Sequence, residues 1–329
     1  MKEKTKRPCH YSDLFIKYNG DVFPCCEVWC RNELKIGSLD DPGILSRILD
    51  YKPPASCECQ NYKLREAREG DNFKSSFLNI EFSLKCQASC AMCCVEAPEW
   101  KGKYNDGYFD IIGQIAEHFQ PDELLVQGGE VLFQDNTMEF LSKLRASLPR
   151  TAFCLVTNGC FKNRKTLDSL KIFNRIGVSL VGFQNETYKK IMGLDLDITK
   201  KFIEYVHNET DIKTLLKFLS TPSNIHEIPL FMEWAAGNPP NAVVFEDTGF
   251  WQYVNKNAPF SYWNKILFRT RNDFLRTVEN NAETVLRNKL KIYLRPHIVD
   301  LLSLSPGDFP GTLKDYVILH DIHIKYEDL

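Results

Sequence analysis

From residue 76 onward, apolar positions fall into a regular alternation. Short apolar runs, SFLNIEFSL (76–84), ELLVQGG (123–129), TAFCLVT (151–157), IGVSLVG (176–182), TLLKFLS (214–220) and NAVVFED (241–247), have the length and composition of buried strands. Between them lie YFDIIGQIAEHF, NTMEFLSKLRASL, KTLDSLKIF, TKKFIEYVHNE and NIHEIPLFMEWAA, each with apolar residues three or four apart, the period of an amphipathic helix. Six strands joined by helical crossovers predict parallel βα units with right-handed connections. An open doubly wound sheet and a partial (β/α)6 barrel both satisfy this pattern. In either, chemistry gathers at the C-terminal ends of the strands.

The first 70 residues break the rhythm. LFIKYNGDVFPCC reads as a hairpin turning at Asn19-Gly20. An element this small, with few large apolar residues beyond Phe15, Phe23 and Trp29, needs a metal staple or a neighbour's surface. It is expected to pack near the open side of the barrel, entered through the charged stretch 60–75. Past residue 250, Trp263, Leu267, Phe274, Val278, Ala282 and Val285 fall near one helical face, which predicts an amphipathic extension packed on the barrel. The expected organisation is a small module over 1–70, a barrel over 71–250 and a helical extension over 251–329.

The chain has 329 residues, 43% of them apolar, enough for a large core. A net charge of -2 offers no basic excess for a phosphate backbone, so nucleic acid is not the expected partner. No apolar run approaches the ~20 residues that span a bilayer, and the start MKEKTKRPCHYSDLF lacks a signal peptide's apolar segment. A cytoplasmic location is expected. In that reducing compartment the 12 cysteines point to metal binding or catalysis rather than disulfides.

Their spacing changes the picture most. Cys86, Cys90 and Cys93 form C-x3-C-x2-C, with Cys94 following at once, on the loop after the first strand of the alternation. Three thiolates can hold three irons of a cubane cluster and leave the fourth open, as a catalytic site requires. A zinc site that borrows a fourth ligand is the competing reading. The next strands also end in polar or glycine-rich residues. Gly128 and Gly129 admit a ligand to the backbone edge, and Glu130 offers an acceptor to an amine. Thr157-Asn158-Gly159 follows the third strand, and Ser179 lies in the fourth.

These motifs, in this order on these elements, resemble the radical S-adenosylmethionine superfamily across residues 76–250. The resemblance implies a partial (β/α)6 barrel and a [4Fe-4S] cluster on Cys86, Cys90 and Cys93. It implies S-adenosylmethionine chelated at the open iron and cleaved on reduction to a 5′-deoxyadenosyl radical that abstracts hydrogen from substrate. Gly128, Gly129 and Glu130 would meet the methionyl amino group. Asn158 and Ser179 would lie near the ribose and carboxylate, and Met92 would belong to the cofactor-binding loop. A flavodoxin- or ferredoxin-type protein would supply electrons. The chain departs from the family pattern at Gln87, Met92, Val131 and Ser179-Leu180-Val181.

The first cysteine group resembles the twitch or SPASM auxiliary-cluster domain of the same superfamily, here placed before the barrel. That resemblance implies a second [4Fe-4S] cluster on Cys9, Cys25, Cys57 and Cys59, with Cys26 and Cys30 in reserve; a four-cysteine zinc site is the alternative. An auxiliary cluster favours a redox outcome, namely oxidation, epimerisation or cross-linking of a small molecule, such as a sugar, or of a peptide. Candidate substrate-side residues are Cys160, Lys217, Glu246 and Asp247. An inward Lys217 would pair with a carboxylate or serve catalysis; an outward one would snorkel. A non-catalytic iron–sulfur or zinc electron carrier is the alternative function, but it has no need of an amine-binding strand end.

Overall fold

The computed structural model describes residues 13–25, 31–51, 77–93, 95, 97, 106–247 and 260–320. The chain divides into two compact units, one of residues 1–87 and 95–155, the other of 88–94 and 156–329.

In the first unit the chain runs β1 (Asp13–Ile16), β2 (Asp21–Phe23), β3 (Gly37–Ser38), α1 (Ile44–Asp50), β4 (Phe77–Glu81), α2 (Phe109–Phe119), β5 (Glu123–Gln127), α3 (Asp135–Ser147) and β6 (Ala152–Thr157), the last crossing the boundary. The strand order is β6-β5-β4-β1-β2-β3. β1 and β2 form the expected antiparallel hairpin. Its turn closes with the Gly20 N–H donating to the Lys17 carbonyl at 2.9 Å. Gly20 has φ +85°, and a side chain there would meet the ring of Tyr108 at 2.8 Å, so glycine is required.

The hairpin does not sit on the barrel as a separate module. β1 pairs with β4 in parallel, from Asp13 opposite Phe77 to Ile16 opposite Ile80, and so extends the same sheet. The expectation that Phe15 and Phe23 must borrow the barrel's surface is corrected here. Both are buried in a small cluster with Cys25 and Leu34 inside the N-terminal segment. Local packing hides them, and strand pairing supplies the rest of the anchorage. The register carries the turn to the strand end at which β4 finishes.

The second unit holds α4 (Arg164–Ser169), β7 (Arg175–Leu180), α5 (Asn185–Met192), α6 (Leu196–Glu209), β8 (Lys213–Ser220), α7 (Ile228–Gly237), β9 (Ala242–Asp247), α8 (Phe260–Asn280), α9 (Ala282–Asn288), β10 (Lys291–Leu294), α10 (Pro296–Leu301) and β11 (Val317–Leu319). All its strand pairs are parallel, in the order β7-β8-β9-β10-β11. One face is covered. Phe218 of β8 and Phe245 of β9 pack on Phe231 of α7, and Phe245 meets Phe274 of α8 edge-on at 5.3 Å. Leu267, Phe274, Val278 and Val285 are buried, as the helical stripe predicts. The Trp263 side chain lies outside the described residues.

The C-terminal extension is not wholly helical: β10 and β11 add two strands. KIYL and VIL are too short for their periodicity to register, and only the pairing of β10 with β9 and of β11 with β10 fixes them as strands. The fold is α/β with a parallel sheet of the partial-barrel kind. β3 and β11 each have a single neighbour, so the sheet does not close.

Candidate active site

In the first unit the loop carrying Cys86 leaves β4 and is gripped by the turn after β5. The Glu130 N–H donates to the Lys85 carbonyl at 2.8 Å. Gly129 has φ +53°, and a side chain there would stand 2.4 Å from the Lys85 carbonyl oxygen and 2.6 Å from the Leu84 carbonyl carbon. Gly128 has φ +89° and abuts Glu81, with Cγ 2.8 Å from where a side chain would begin. The two glycines are therefore required by this contact. Glu130 is fully buried, and its carboxylate accepts from the Leu132 N–H at 3.2 Å, capping the short helix Val131–Phe133.

β4 contributes two residues that the reading of its sequence as a plain apolar run passed over. Asn79 and Glu81 alternate with Leu78 and Ile80 and so share one face of the strand. Both are buried, yet among the described residues Asn79 Oδ1 and Glu81 Oε2 have no hydrogen-bond partner. Burial pushes the Glu81 carboxyl up to about 7, against the charge of Lys17 and the Tyr18 N–H. Polar residues at period two in a buried parallel strand were the available signal. Orphaned buried acceptors beside a turn closed to side chains suit a ligand that donates hydrogen bonds.

In the second unit the segment 88–94 is tied to the end of α5. Ser89 and Ala91 donate their N–H groups to the Met192 and Ile191 carbonyls at 2.8 and 2.9 Å. Gly193, at φ +70°, leaves room for the Ser89 hydroxyl. Cys86, Cys90, Cys93 and Met92 are all half-buried, and none of the three cysteines is in a disulfide. Among the described residues, no group of three Cys, His, Asp or Glu side chains converges on a single ion position. A cubane does not ask for that convergence, because three of its four irons each take one thiolate. Three thiols within eight residues on a strand-end loop fit such a cluster.

Asn158 and Thr157 are occupied locally. Asn158 Oδ1 accepts from the Cys160 N–H at 2.9 Å, and Thr157 Oγ1 from the Gly159 N–H at 3.0 Å. Cys160 is half-buried with its sulfur 3.9 Å from the Asp195 carbonyl oxygen. The loop after β7 is held by Glu227, fully buried at the start of α7, which accepts from the Phe183 and Gln184 N–H groups. Nothing in the sequence pattern marked Glu227.

Ser179 and Lys217 stand opposite each other on β7 and β8, and Lys217 opposite Val244 on β9. Glu246, two residues beyond Val244, shares their face. Lys217 Nζ lies 3.1 Å from Glu246 Oε2, so the inward lysine has its carboxylate. That oxygen is shut from solvent, although the side chain as a whole is 33% exposed. Burial works to raise the Glu246 carboxyl, but Lys217 and Arg295 outweigh it and hold it below its ordinary value. Asp247 ends β9 opposite Ser220; its side chain lies outside the described residues. Of the auxiliary-cluster candidates only Cys25 is described, buried beside Phe15 and Phe23. Cys9, Cys26, Cys30, Cys57 and Cys59, together with Cys94, Trp29 and the stretch 60–75, lie outside the described residues. A cavity of about 650 Å³ between α7 and α8, lined by His226, Leu230 and Asp273, opens on the helix-covered side, away from these groups.

Residues 80–234 match the family model of the Radical SAM superfamily, over the part of the chain that contains the cysteine loop and its gripping turn. The chain carries a radical SAM domain. A probable GTP 3',8-cyclase of Saccharolobus islandicus (strain L.S.2.15 / Lassen #1) is 28% identical over 252 residues, 73% of this chain and 74% of that protein. The enzyme of strain Y.N.15.51 / Yellowstone #2 with the same description is 25% identical over 251 residues. Among solved structures, Streptococcus suis SuiB bound to precursor peptide SuiA aligns with TM-score 0.50 and 15% identity over 75% of this chain and 57% of that one. anSMEcpe with bound AdoMet aligns with TM-score 0.50 and 16% identity over 67% of this chain and 63% of that one. The chain thus spans somewhat over half the length of the solved structures it matches, and these likenesses establish the fold. Radical SAM domains use a [4Fe-4S] cluster with S-adenosylmethionine and need a reductant and a substrate. Among the described residues no helix is long and apolar enough to cross a membrane.

Proposed function

We propose that this chain is a radical SAM enzyme that abstracts hydrogen from a small-molecule or peptide substrate, with Cys86, Cys90 and Cys93 as its cluster ligands. When bound, the reduced cluster supplies the electron that splits S-adenosylmethionine into methionine and a 5′-deoxyadenosyl radical. The observation that carries the reading is the seating of Gly128-Gly129-Glu130 on the cysteine loop, through the Lys85 carbonyl and with no room for side chains. That contact fixes the backbone edge of β5 beside the first thiol. Asn79 and Glu81 present acceptors on the neighbouring strand for the donor groups of the cofactor. Lys217, Glu246 and Asp247 would face substrate, Cys160 would give up a hydrogen atom, and Ser179 would lie with the cofactor. Asn158 and Met92 would line the cofactor. The N-terminal segment would hold a second cluster through Cys9, Cys25, Cys57 and Cys59, fed by a flavodoxin- or ferredoxin-type donor, and would favour a redox outcome.

The test is anaerobic reconstitution followed by dithionite reduction with S-adenosylmethionine, read by chromatography. The wild type should form 5′-deoxyadenosine and methionine. Replacing Cys86, Cys90 and Cys93 with alanine should abolish the product and leave about half of roughly eight irons per chain. Fully loaded wild-type protein that forms no 5′-deoxyadenosine with any substrate class would defeat the reading. Relatives described as GTP 3',8-cyclases favour a second reading, rearrangement of a nucleoside triphosphate. Adding GTP to the same assay separates the two: a GTP-dependent rise in 5′-deoxyadenosine supports the second reading.

A further inference from the structure

Among the described residues, the large apolar side chains left exposed are Leu49, Phe133, Leu230 and Phe268. Leu49, Leu230 and Phe268 sit on α1, α7 and α8. Phe133 alone adjoins the cysteine loop. A single exposed ring is ordinary on a protein surface, so its setting decides whether it means anything. This ring is 45% exposed, yet its backbone is held firmly. The Phe133 N–H donates to the Glu130 carbonyl at 3.0 Å, and Val131 and Leu132 beside it are buried. The Glu130 carboxylate caps the short helix, and the Gln134 side-chain amide donates to the Glu130 carbonyl at 3.2 Å. The ring is turned outward by a built turn, not by fraying.

Its partner is Lys85, the residue immediately before Cys86 and itself exposed. The Lys85 N–H donates to Ser83 Oγ at 3.0 Å, and its carbonyl accepts from the Glu130 N–H at 2.8 Å. Both backbone groups are thus taken, and the second bond ties Lys85 to the turn that carries Phe133. Lys85 Nζ lies 4.9 Å from the centroid of the Phe133 ring. Among the described residues no ion pair holds this ammonium. Glu81 and Glu130, the described acidic residues of this corner, are both buried. The surface beside the first thiol therefore offers an apolar ring with a cation laid over it. The fold needs neither atom group there: the ring is half in water, and the lysine neutralises nothing. An aromatic anchor with a charge at its edge is the chemistry of a protein docking surface.

We infer that Phe133 and Lys85 form the docking surface for the electron donor, a small acidic one-electron carrier protein. The inference rests on the radical SAM reading for the cluster at Cys86 and deepens it by giving the electron a point of entry. One electron leaves the reduced carrier and enters the cluster on the loop; the carrier is oxidised by one electron, and no atom changes hands. The carrier's acidic rim would meet the Lys85 ammonium, and the apolar surround of its redox centre would meet the ring. Electron-transfer encounters are small, below about 1,200 Å² in total, so one anchor and one steering charge carry a large share of such a contact.

The experiment uses the full chain, anaerobically reconstituted, with a flavodoxin kept reduced by its NADPH-dependent reductase as the probe. Reduction is followed by bleaching of the visible iron–sulfur absorption. Each protein's rate is divided by its own rate with dithionite, which needs no docking surface. The wild-type ratio should fall as sodium chloride is raised, because salt screens a steering charge. Phe133→Ser should raise the flavodoxin KM about tenfold and leave the dithionite rate unchanged. Lys85→Glu should raise the KM at least as much and flatten or invert the salt dependence, which a loss of packing alone does not do. If Phe133→Ser folds poorly, Phe133→Leu and Lys85→Gln still decide: the first should keep most of the affinity, and the second should lose the salt dependence. Wild-type KM and salt dependence in these variants overturn the surface and move electron entry elsewhere on the chain. A wild type reduced no faster with flavodoxin than with the reductase alone overturns it too. Reduction through this surface in protein that forms no 5′-deoxyadenosine would sink the functional reading and leave the docking surface standing.

Discussion

Glu81 and Glu246 are the same residue type at the same kind of position, the C-terminal end of a parallel strand, one in each unit. Their surroundings drive them apart. Glu81 is buried beside Asn79 with an orphaned oxygen, and burial raises its carboxyl to about 7. Glu246 has Lys217 at 3.1 Å and Arg295 nearby, and its carboxyl is held down. Near neutral pH the first carboxyl is close to half-protonated and the second is ionised. The first unit thus offers acceptors with little charge behind them, and the second a carboxylate already paired with a lysine. A ligand carrying an amine and hydroxyls suits the former.

The glycine turns sharpen the contrast and give the largest expected effect. Gly129→Ala places a side chain 2.4 Å from the Lys85 carbonyl, a backbone atom that cannot move without shifting the cysteine loop. It should cost about 3–5 kcal/mol in urea denaturation, or prevent soluble expression. A loss below about 1 kcal/mol would mean the turn is not seated as described.

Glu81 should give the next largest effect, through pH. Its folded-state value lies above the ordinary 4.5, so the native chain holds this proton more tightly than the unfolded one. The contribution is complete below about pH 4.5 and is lost as pH rises through about 7, roughly 3 kcal/mol in all. Urea midpoints from pH 5 to 8 should therefore fall more steeply in the wild type than in Glu81→Gln, with the variant gaining on the wild type at pH 8. Parallel profiles would show that Glu81 does not titrate in this range.

Gly193→Ala tests the matching turn in the second unit. The obstacle there is the Ser89 hydroxyl, the end of a side chain that can rotate away. The cost should be about 1–2 kcal/mol, chiefly for an alanine at φ +70°. An effect as large as that of Gly129→Ala would erase the distinction between a backbone wall and a side-chain wall.

The smallest effect belongs to Glu246. Its depressed value means stability present above pH 4.5 and lost as pH falls through the lower folded-state value. With a third of the side chain exposed and solvent screening the pair, Glu246→Gln should change acid stability by less than about 1 kcal/mol. A larger change would mean that solvent screens the Lys217–Glu246 pair less than its exposure implies.

The sequence by itself determined the six alternating strands, the Asn19-Gly20 hairpin and the cysteine loop at a strand end. Each rests on a local signal: hydrophobic period, turn chemistry or ligand spacing. It also placed Lys217 within the fifth strand and Glu246 at the end of the sixth. Three things only the tertiary structure decided. β10 and β11 are too short to carry a period, and pairing of β10 with β9 and of β11 with β10 makes them strands. The hairpin joins the sheet through β1 and β4, a contact between residues more than 60 apart that no local pattern encodes. The opposite protonation of Glu81 and Glu246 depends on which side chains the register brings alongside them, because a carboxyl's charge is set by its surroundings and not by its place in the chain.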